Sequence, residues 1–230
     1  VVEGAILSPL DQWHALEACP RLVLDSSQEK YATAVVVGQK DKETYLLTAW
    51  HAVEGKYQFD FHFYTRSSYP LPDWKVEKVP TVLVASSKNA DFALLKVVFP
   101  LRDSLLPDLP PVPLPRLKLA GPNERSNKFP FDAVSVGSSF GEPITCQAES
   151  IWAKRFVRRP SKLEGAEQLA FFWESAGAPA RGRSGGPLLN REGKLIGLCV
   201  AAKGERGYYT HQDEILAELK EAKQAWLWEE

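Results

Sequence analysis

Residues 107–122 read Pro-Asp-Leu-Pro-Pro-Val-Pro-Leu-Pro-Arg-Leu-Lys-Leu-Ala-Gly-Pro. Proline has no amide hydrogen and a fixed φ, so this stretch can be neither a helix nor a central strand. It reads as a linker and divides the 230 residues into two halves. Each half is a series of short β-rich runs separated by turn residues, the pattern of barrels or sandwiches. In the first half the candidate strands are Arg21–Asp25, Tyr31–Gly38, Glu43–Ala49, Tyr57–Tyr64, Val79–Ala85 and Phe92–Val98. In the second they are Ala133–Gly137, Ile144–Ala153, Leu169–Trp173, Pro187–Leu189, Lys194–Ala202 and Gly207–Thr210. Tyr57, Phe59, Phe61 and Phe63 alternate with Gln58, Asp60, His62 and Tyr64, which predicts a strand with one apolar face. A chain of this length can bury one large all-β core or two small ones that share an interface.

The end of the chain has a different period. Ile215, Leu216, Leu219, Ala222, Trp226 and Leu227 recur at three- and four-residue spacing, predicting an amphipathic closing helix over 212–230. Thr210 and Asp213 have the spacing of a variant capping box at its start. Trp226 and Trp228 either finish the core or dock a missing neighbouring domain. The expected organisation is residues 1–106 as a first β unit, 107–122 as linker, 123–211 as a second β unit and 212–230 as the helix.

Composition narrows the function classes. A net charge of -1 gives no general reason to expect a nucleic-acid partner or an anionic membrane. No apolar stretch approaches the roughly 20 residues needed to span a bilayer. Cys19, Cys146 and Cys199 are too few and too scattered for a disulfide framework or a zinc site, and read as buried small apolar residues. No metal and no cofactor is expected. The chain contains no methionine and reads as a processed or excised piece of a longer product.

The chemistry lies in three segments. Gly182-Arg183-Ser184-Gly185-Gly186-Pro187 sets a serine among glycines, which let the backbone turn tightly and aim amide N–H groups outward. Tyr45-Leu46-Leu47-Thr48-Ala49-Trp50-His51 is an apolar run ending on a histidine, and Asp91 opens the run Phe92–Val97. A serine hydroxyl is a poor nucleophile until an imidazole takes its proton, and the imidazole needs a carboxylate to fix its tautomer. Taken singly, Ser184 fits a turn serine, His51 a strand-end histidine and Asp91 a turn cap. Their joint order and apolar flanks argue against coincidence. His14, His62 and His211 lack such surroundings and read as structural or surface residues.

The order His, Asp, Ser separates the chymotrypsin type from other hydrolases that use the same residues. Leu47–Val53 resembles the histidine box of the trypsin-like (chymotrypsin-fold) serine peptidases, Asp91–Val97 their aspartate box and Gly182–Asn190 their serine box. The likeness is greatest to the bacterial HtrA-like branch. Val136–Gly141 and Gly207–Thr210 are weaker signposts, and the resemblance spans roughly residues 20–217. It implies an all-β fold of two six-stranded antiparallel β-barrels with a C-terminal α-helix, the site lying in the cleft between them. It also implies a serine endopeptidase acting on protein or peptide substrates. His51, Asp91 and Ser184 would be catalytic, and the amides of Gly182 and Ser184 would form the oxyanion hole. Ala52 and Ala180 stand where secreted animal relatives carry cysteines. A reducing compartment or bacterial origin therefore fits better, the cytoplasm slightly ahead of the periplasm.

By the same analogy Ala178 floors the primary specificity pocket, Val200, Ala201 and Ala202 form one wall, and Gly207 leaves the back open. Small walls suit an apolar side chain; the rival is an acidic one paired with Arg181 or Arg206. Arg183 departs from the aspartate that receives the new N-terminal amine in trypsin-like zymogens, since an arginine would repel it. The oxyanion loop must then be ordered by other loops or by a regulatory partner. Lys154, Arg155, Arg158, Arg159 and Lys162 read as a solvated loop, with a docking loop as the alternative. The rivals to an active peptidase are a catalytically silent pseudoprotease used as a binding module, and an effector domain that needs a partner for activation.

Overall fold

The computed structural model describes Val2 and residues 6–100, 113–122, 128–159 and 168–229. The first half comprises α1 (Pro9–Glu17), β1 (Arg21–Asp25), β2 (Lys30–Thr33), β3 (Val35–Lys40), β4 (Glu43–Thr48), the single turn α2 (Trp50–Val53), β5 (Gln58–Phe63), β6 (Trp74–Ser87) and β7 (Phe92–Val97). The second comprises β8 (Phe131–Ser138), β9 (Ile144–Arg159), β10 (Gln168–Ser175), β11 (Pro187–Leu189), β12 (Leu195–Lys203) and β13 (Arg206–His211), then α3 (Gln212–Glu221) and α4 (Trp226–Glu229).

The second half forms the expected closed six-stranded barrel, in the order β10-β13-β12-β11-β8-β9. All six strands contribute to one cluster that includes Ala133, Ile151, Trp173, Leu188, Ile196 and Tyr209, so this cluster is the barrel interior. The first half differs from a closed six-stranded barrel. It is a seven-stranded sheet in the order β2-β1-β5-β6-β7-β4-β3. The run 31–38 breaks at Ala34, whose amide donates to Pro20 O at 3.0 Å instead of entering a ladder. The two strands so produced are the two edges of the sheet, joined through one residue in a half-barrel.

β6 is longer than the run 79–85 suggests because it serves both sides of the curl. It pairs with β5 as far as Pro80, opposite Gln58, and with β7 from Thr81, opposite Val97. The proline thus falls at the change of partner, where a missing donor costs no regular ladder bond. In β5 the alternation holds for Phe59, Phe61 and Phe63, all buried, but fails at both ends: Tyr57 is exposed and Tyr64 is buried.

Helix α1 was not anticipated. Its signal is the cap Ser8-Pro9-Leu10-Asp11: Ser8 Oγ accepts from the Asp11 amide at 3.2 Å and Pro9 occupies the first turn, where its missing N–H matters least. The closing helix is two pieces, separated around Lys223 with φ 58. His211, not Thr210, caps α3: its Nδ1 accepts from the Asp213 amide at 3.1 Å, while the Thr210 hydroxyl donates to Ala90 O. Ile215, Leu216, Leu219 and Leu227 are buried as expected, and α3 packs on β6, β10, β12 and β13. Trp226 lies against Gly38 of β3 and stacks edge-on against Tyr45 at 5.1 Å, so it completes the core of the first half.

Residues 107–112 of the expected linker lie outside the described residues. The rest stitches the halves together: Leu117 N donates to Val36 O at 2.9 Å, and Leu119 bridges Leu195. The basic residues Lys154, Arg155, Arg158 and Arg159 belong to β9, not to a loop, and Lys162 lies outside the described residues. Lys154 pairs with Asp213 at 3.3 Å and Arg155 with Glu174 at 2.8 Å. Among the described residues no helix is long and apolar enough to cross a membrane, and no cluster of His, Cys, Asp and Glu could hold a metal ion.

All three cysteines are buried and free of disulfides. Burial pushes the Cys199 thiol up to about 12 and Cys146 to about 11, and raises Cys19 as well. Only the thiolate reacts, so the folded protein is expected to resist a thiol reagent at about pH 8 and to titrate three thiols after unfolding. Rapid reaction of the folded chain would contradict this packing.

Candidate active site

Asp91 is the turn residue immediately before β7, in the left-handed region with φ 58, and is 4% exposed. It takes the place of a cap for α2, whose N-cap Ala49 has no side-chain acceptor. Asp91 O accepts from the Trp50 amide at 3.2 Å, and Asp91 Oδ1 from the His51 amide at 2.9 Å. Two orphan donors of the helix start are thereby satisfied by one residue. The second carboxylate oxygen, Oδ2, lies 2.8 Å from His51 Nδ1. A carboxylate only accepts, so Nδ1 carries the proton and Nε2 is left as an acceptor. Nε2 lies 3.1 Å from Ser184 Oγ. The His51 side chain is 47% exposed, so one side of this row faces solvent.

Ser184 stands in a tight turn between β10 and β11. Gly186 N donates to Arg183 O at 2.9 Å, and Gly185 N to Cys199 O at 2.7 Å. Gly185 has φ +84, and a Cβ there would come within 2.3 Å of Thr33 O, so a side chain is excluded by both conformation and space. Gly182 has φ +94, and a Cβ there would lie 2.7 Å from Ser138 O. Among the described residues neither the Gly182 amide nor the Ser184 amide donates a hydrogen bond within the protein.

Thr33, the last residue of β2, was not singled out from sequence, yet it ties the halves together at this turn. Its amide donates to Ser184 O at 2.8 Å and its hydroxyl to Gly182 O at 3.0 Å. The contact joins residues about 150 positions apart, and no local pattern announces it. In the sequence Arg183 stands out only for the ion pair it cannot make. It lies inside the second barrel, and its guanidinium donates to Gly137 O at 3.0 Å and Ser135 Oγ at 2.9 Å.

The expected pocket residues come from three adjoining segments. Ala202 of β12 pairs with Gly207 of β13, which pairs in turn with Ser175 of β10. A Cβ on Gly207 would lie 2.7 Å from both Gly177 O and Pro179 Cδ, so the loop carrying Ala178 and Arg181 rests against this glycine. Val200 is buried, Ala201 half-buried, and Ala202, Ala178 and Arg181 are exposed. Arg206 is already engaged: with Arg155 it donates to the buried Glu174 carboxylate. Burial works against that charge, but the two guanidiniums outweigh it and hold Glu174 below the usual carboxylate range. Arg181 has no such partner among the described residues.

His62, half-buried beside Arg21 Nη2 at 2.7 Å, is pushed down to about 4, first by burial and then by that guanidinium. His14 lies 3.1 Å from Arg116 O, and His211 caps α3. None of the three meets the His51 row.

A family model described as a trypsin-like peptidase domain matches residues 32–198. A search of curated proteins finds no match. Among solved structures, an inactive form of Rv3671c from M. tuberculosis superposes with TM-score 0.68 at 19% identity, covering 97% of this chain and 95% of that one. The serine endoprotease from Yersinia pestis gives 0.62 at 16% identity, with 96% and 68% covered. The HtrA-type protease AlgW, solved with a tripeptide, gives 0.62 at 21% identity, with 93% and 62% covered. These likenesses support the chymotrypsin-like fold, and the family match covers more than two thirds of the sequence: the chain belongs to the trypsin-like peptidase family.

Proposed function

We propose that the chain hydrolyses peptide bonds through an acyl-enzyme in which Ser184 is the nucleophile, His51 the proton carrier and Asp91 its orienter. Ser184 Oγ bonds to the scissile carbonyl carbon as its proton passes to His51 Nε2. The C–N bond then breaks and the same proton leaves on the amine. Water, deprotonated by His51, releases the acyl group and restores the serine. The amides of Gly182 and Ser184 receive the oxyanion; such a donor is worth on the order of 3 kcal/mol in the transition state. The observation that carries this reading is the unbroken row from Asp91 Oδ2 through the imidazole to Ser184 Oγ, with contacts of 2.8 and 3.1 Å.

A medium or large apolar side chain is the favoured residue on the acyl side of the cut. Val200, Ala201, Ala202 and Gly207 offer little bulk, and Arg206 is engaged with Glu174. An acidic side chain would have to rely on Arg181. A peptide-library digest is the test. The expected profile clusters cuts after apolar residues and disappears in His51→Ala. Cuts confined to sites after Asp or Glu would overturn the preference, and an unchanged profile in His51→Ala would overturn the mechanism.

A further inference from the structure

Arg183 is the one charged residue among the largest fully buried side chains, at 1% exposure, and it is the residue before Ser184. A guanidinium taken out of water is costly unless its protons find acceptors. Here both Nη groups find them inside the second barrel, while the buried Nε has no partner among the described residues: Nη1 donates to Gly137 O at 3.0 Å and Thr145 Oγ1 at 3.1 Å, and Nη2 to Ser135 Oγ at 2.9 Å. Ser135 Oγ passes the connection on, donating to Glu149 Oε1 at 2.8 Å, which also accepts from Tyr209 OH at 2.8 Å. A buried cation and a buried carboxyl group are thus joined through one hydroxyl, across strands β8, β9 and β13.

The backbone of Arg183 belongs to two turns at once. Its amide donates to Ala180 O at 3.3 Å, and its carbonyl accepts from the Gly186 amide at 2.9 Å. The first turn carries Gly182 and the second carries Ser184. Locking the side chain therefore locks the one residue both turns share, and the planar fork of arginine does so with little remaining freedom. An apolar side chain would fill the space but could not fix the rotation of the turn.

We propose that Arg183 is a positioning residue: anchored through Gly137, Thr145 and the Ser135–Glu149 link, it holds the Gly182 and Ser184 amides and the Ser184 hydroxyl in reactive orientation. This rests on the acyl-transfer reading above. It would place the ordering of the oxyanion loop in the barrel's own interior.

The test compares Arg183→Met, Arg183→Lys and Ser135→Ala with the unaltered protein and Ser184→Ala, measuring kcat, KM and melting on one peptide substrate. Arg183→Met is expected to lose about 100-fold or more in kcat with KM within about threefold, the signature of a lost transition-state contact. Arg183→Lys keeps the charge but not the fork, and is expected to recover about 10-fold of that loss. Ser135→Ala is expected to lower kcat by about 10-fold while still folded at the assay temperature. If Arg183→Met does not fold, the other two variants decide. Folded Arg183→Lys and Ser135→Ala with kcat within about twofold of the unaltered protein would overturn the proposal, as would a rise in KM at constant kcat. Hydrolysis by the unaltered protein that persists in Ser184→Ala would instead remove the acyl-transfer reading itself, and the proposal with it.

Discussion

Replacing Ser184 with alanine is expected to lower kcat for peptide hydrolysis by about 10⁶-fold, the scale seen when a nucleophile of this type is removed. The substitution deletes one oxygen, whose partner is His51 Nε2. What holds the turn is backbone and stays: Thr33 N on Ser184 O, Gly185 N on Cys199 O and Gly186 N on Arg183 O. The melting temperature is therefore expected to move by no more than about 2 °C, since only a fraction of a kcal/mol is at stake in a half-exposed hydroxyl. Near-complete loss of turnover at unchanged stability is what separates a nucleophile from a turn serine. Retention of turnover would leave Ser184 a turn serine.

The second large effect is expected from Asp91→Asn, at about 10⁴-fold in kcat. Asparagine tolerates the left-handed backbone that Asp91 adopts, so the fold should survive. The chemistry should not. Asp91 accepts twice from His51, at the backbone amide and at Nδ1. An asparagine side chain has one acceptor oxygen and one donor nitrogen. If its oxygen keeps the backbone amide, its NH₂ faces Nδ1, which must then give up its proton. Nε2 becomes the protonated nitrogen and cannot accept from Ser184. If the amide flips, the His51 amide loses its acceptor instead, while Asp91 O still accepts from the Trp50 amide. A stability measurement beside the kinetics distinguishes the two, and either way kcat falls. A variant with wild-type kcat would show that Asp91 only caps the helix.

Much of the fold was legible because sheet periodicity is local. The Phe59, Phe61, Phe63 alternation and the turn residues between runs marked most strands within a few residues. What escaped depends on distant partners. The split at Ala34 follows from a bond to Pro20, across the edge of the sheet. β9 and β10 support each other past Ala153 by pairing Phe156 with Phe171 and Arg158 with Leu169, so a charged segment that looked like a loop becomes a hairpin. Trp226 has an ambiguous sequence context and settles against Gly38 and Tyr45.

At the candidate site the same division holds. His51 ends an apolar run, Asp91 opens one and Ser184 stands among glycines just before another, and that made them visible. Thr33 and Arg183 carry no such mark. The contacts of Thr33 span half-barrel and barrel, and those of Arg183 reach back 38 to 48 residues to strands whose register only the fold defines. The arginine was legible as a departure; what it does instead was not.

The most direct measurement is the reaction of the chain with a fluorophosphonate, read by intact mass and by mapping the adduct. Activation of one serine by one imidazole predicts a single adduct on Ser184, formed at least about 100-fold more slowly in His51→Ala. No adduct on the unaltered protein, an adduct elsewhere, or an equal rate in His51→Ala would contradict the account.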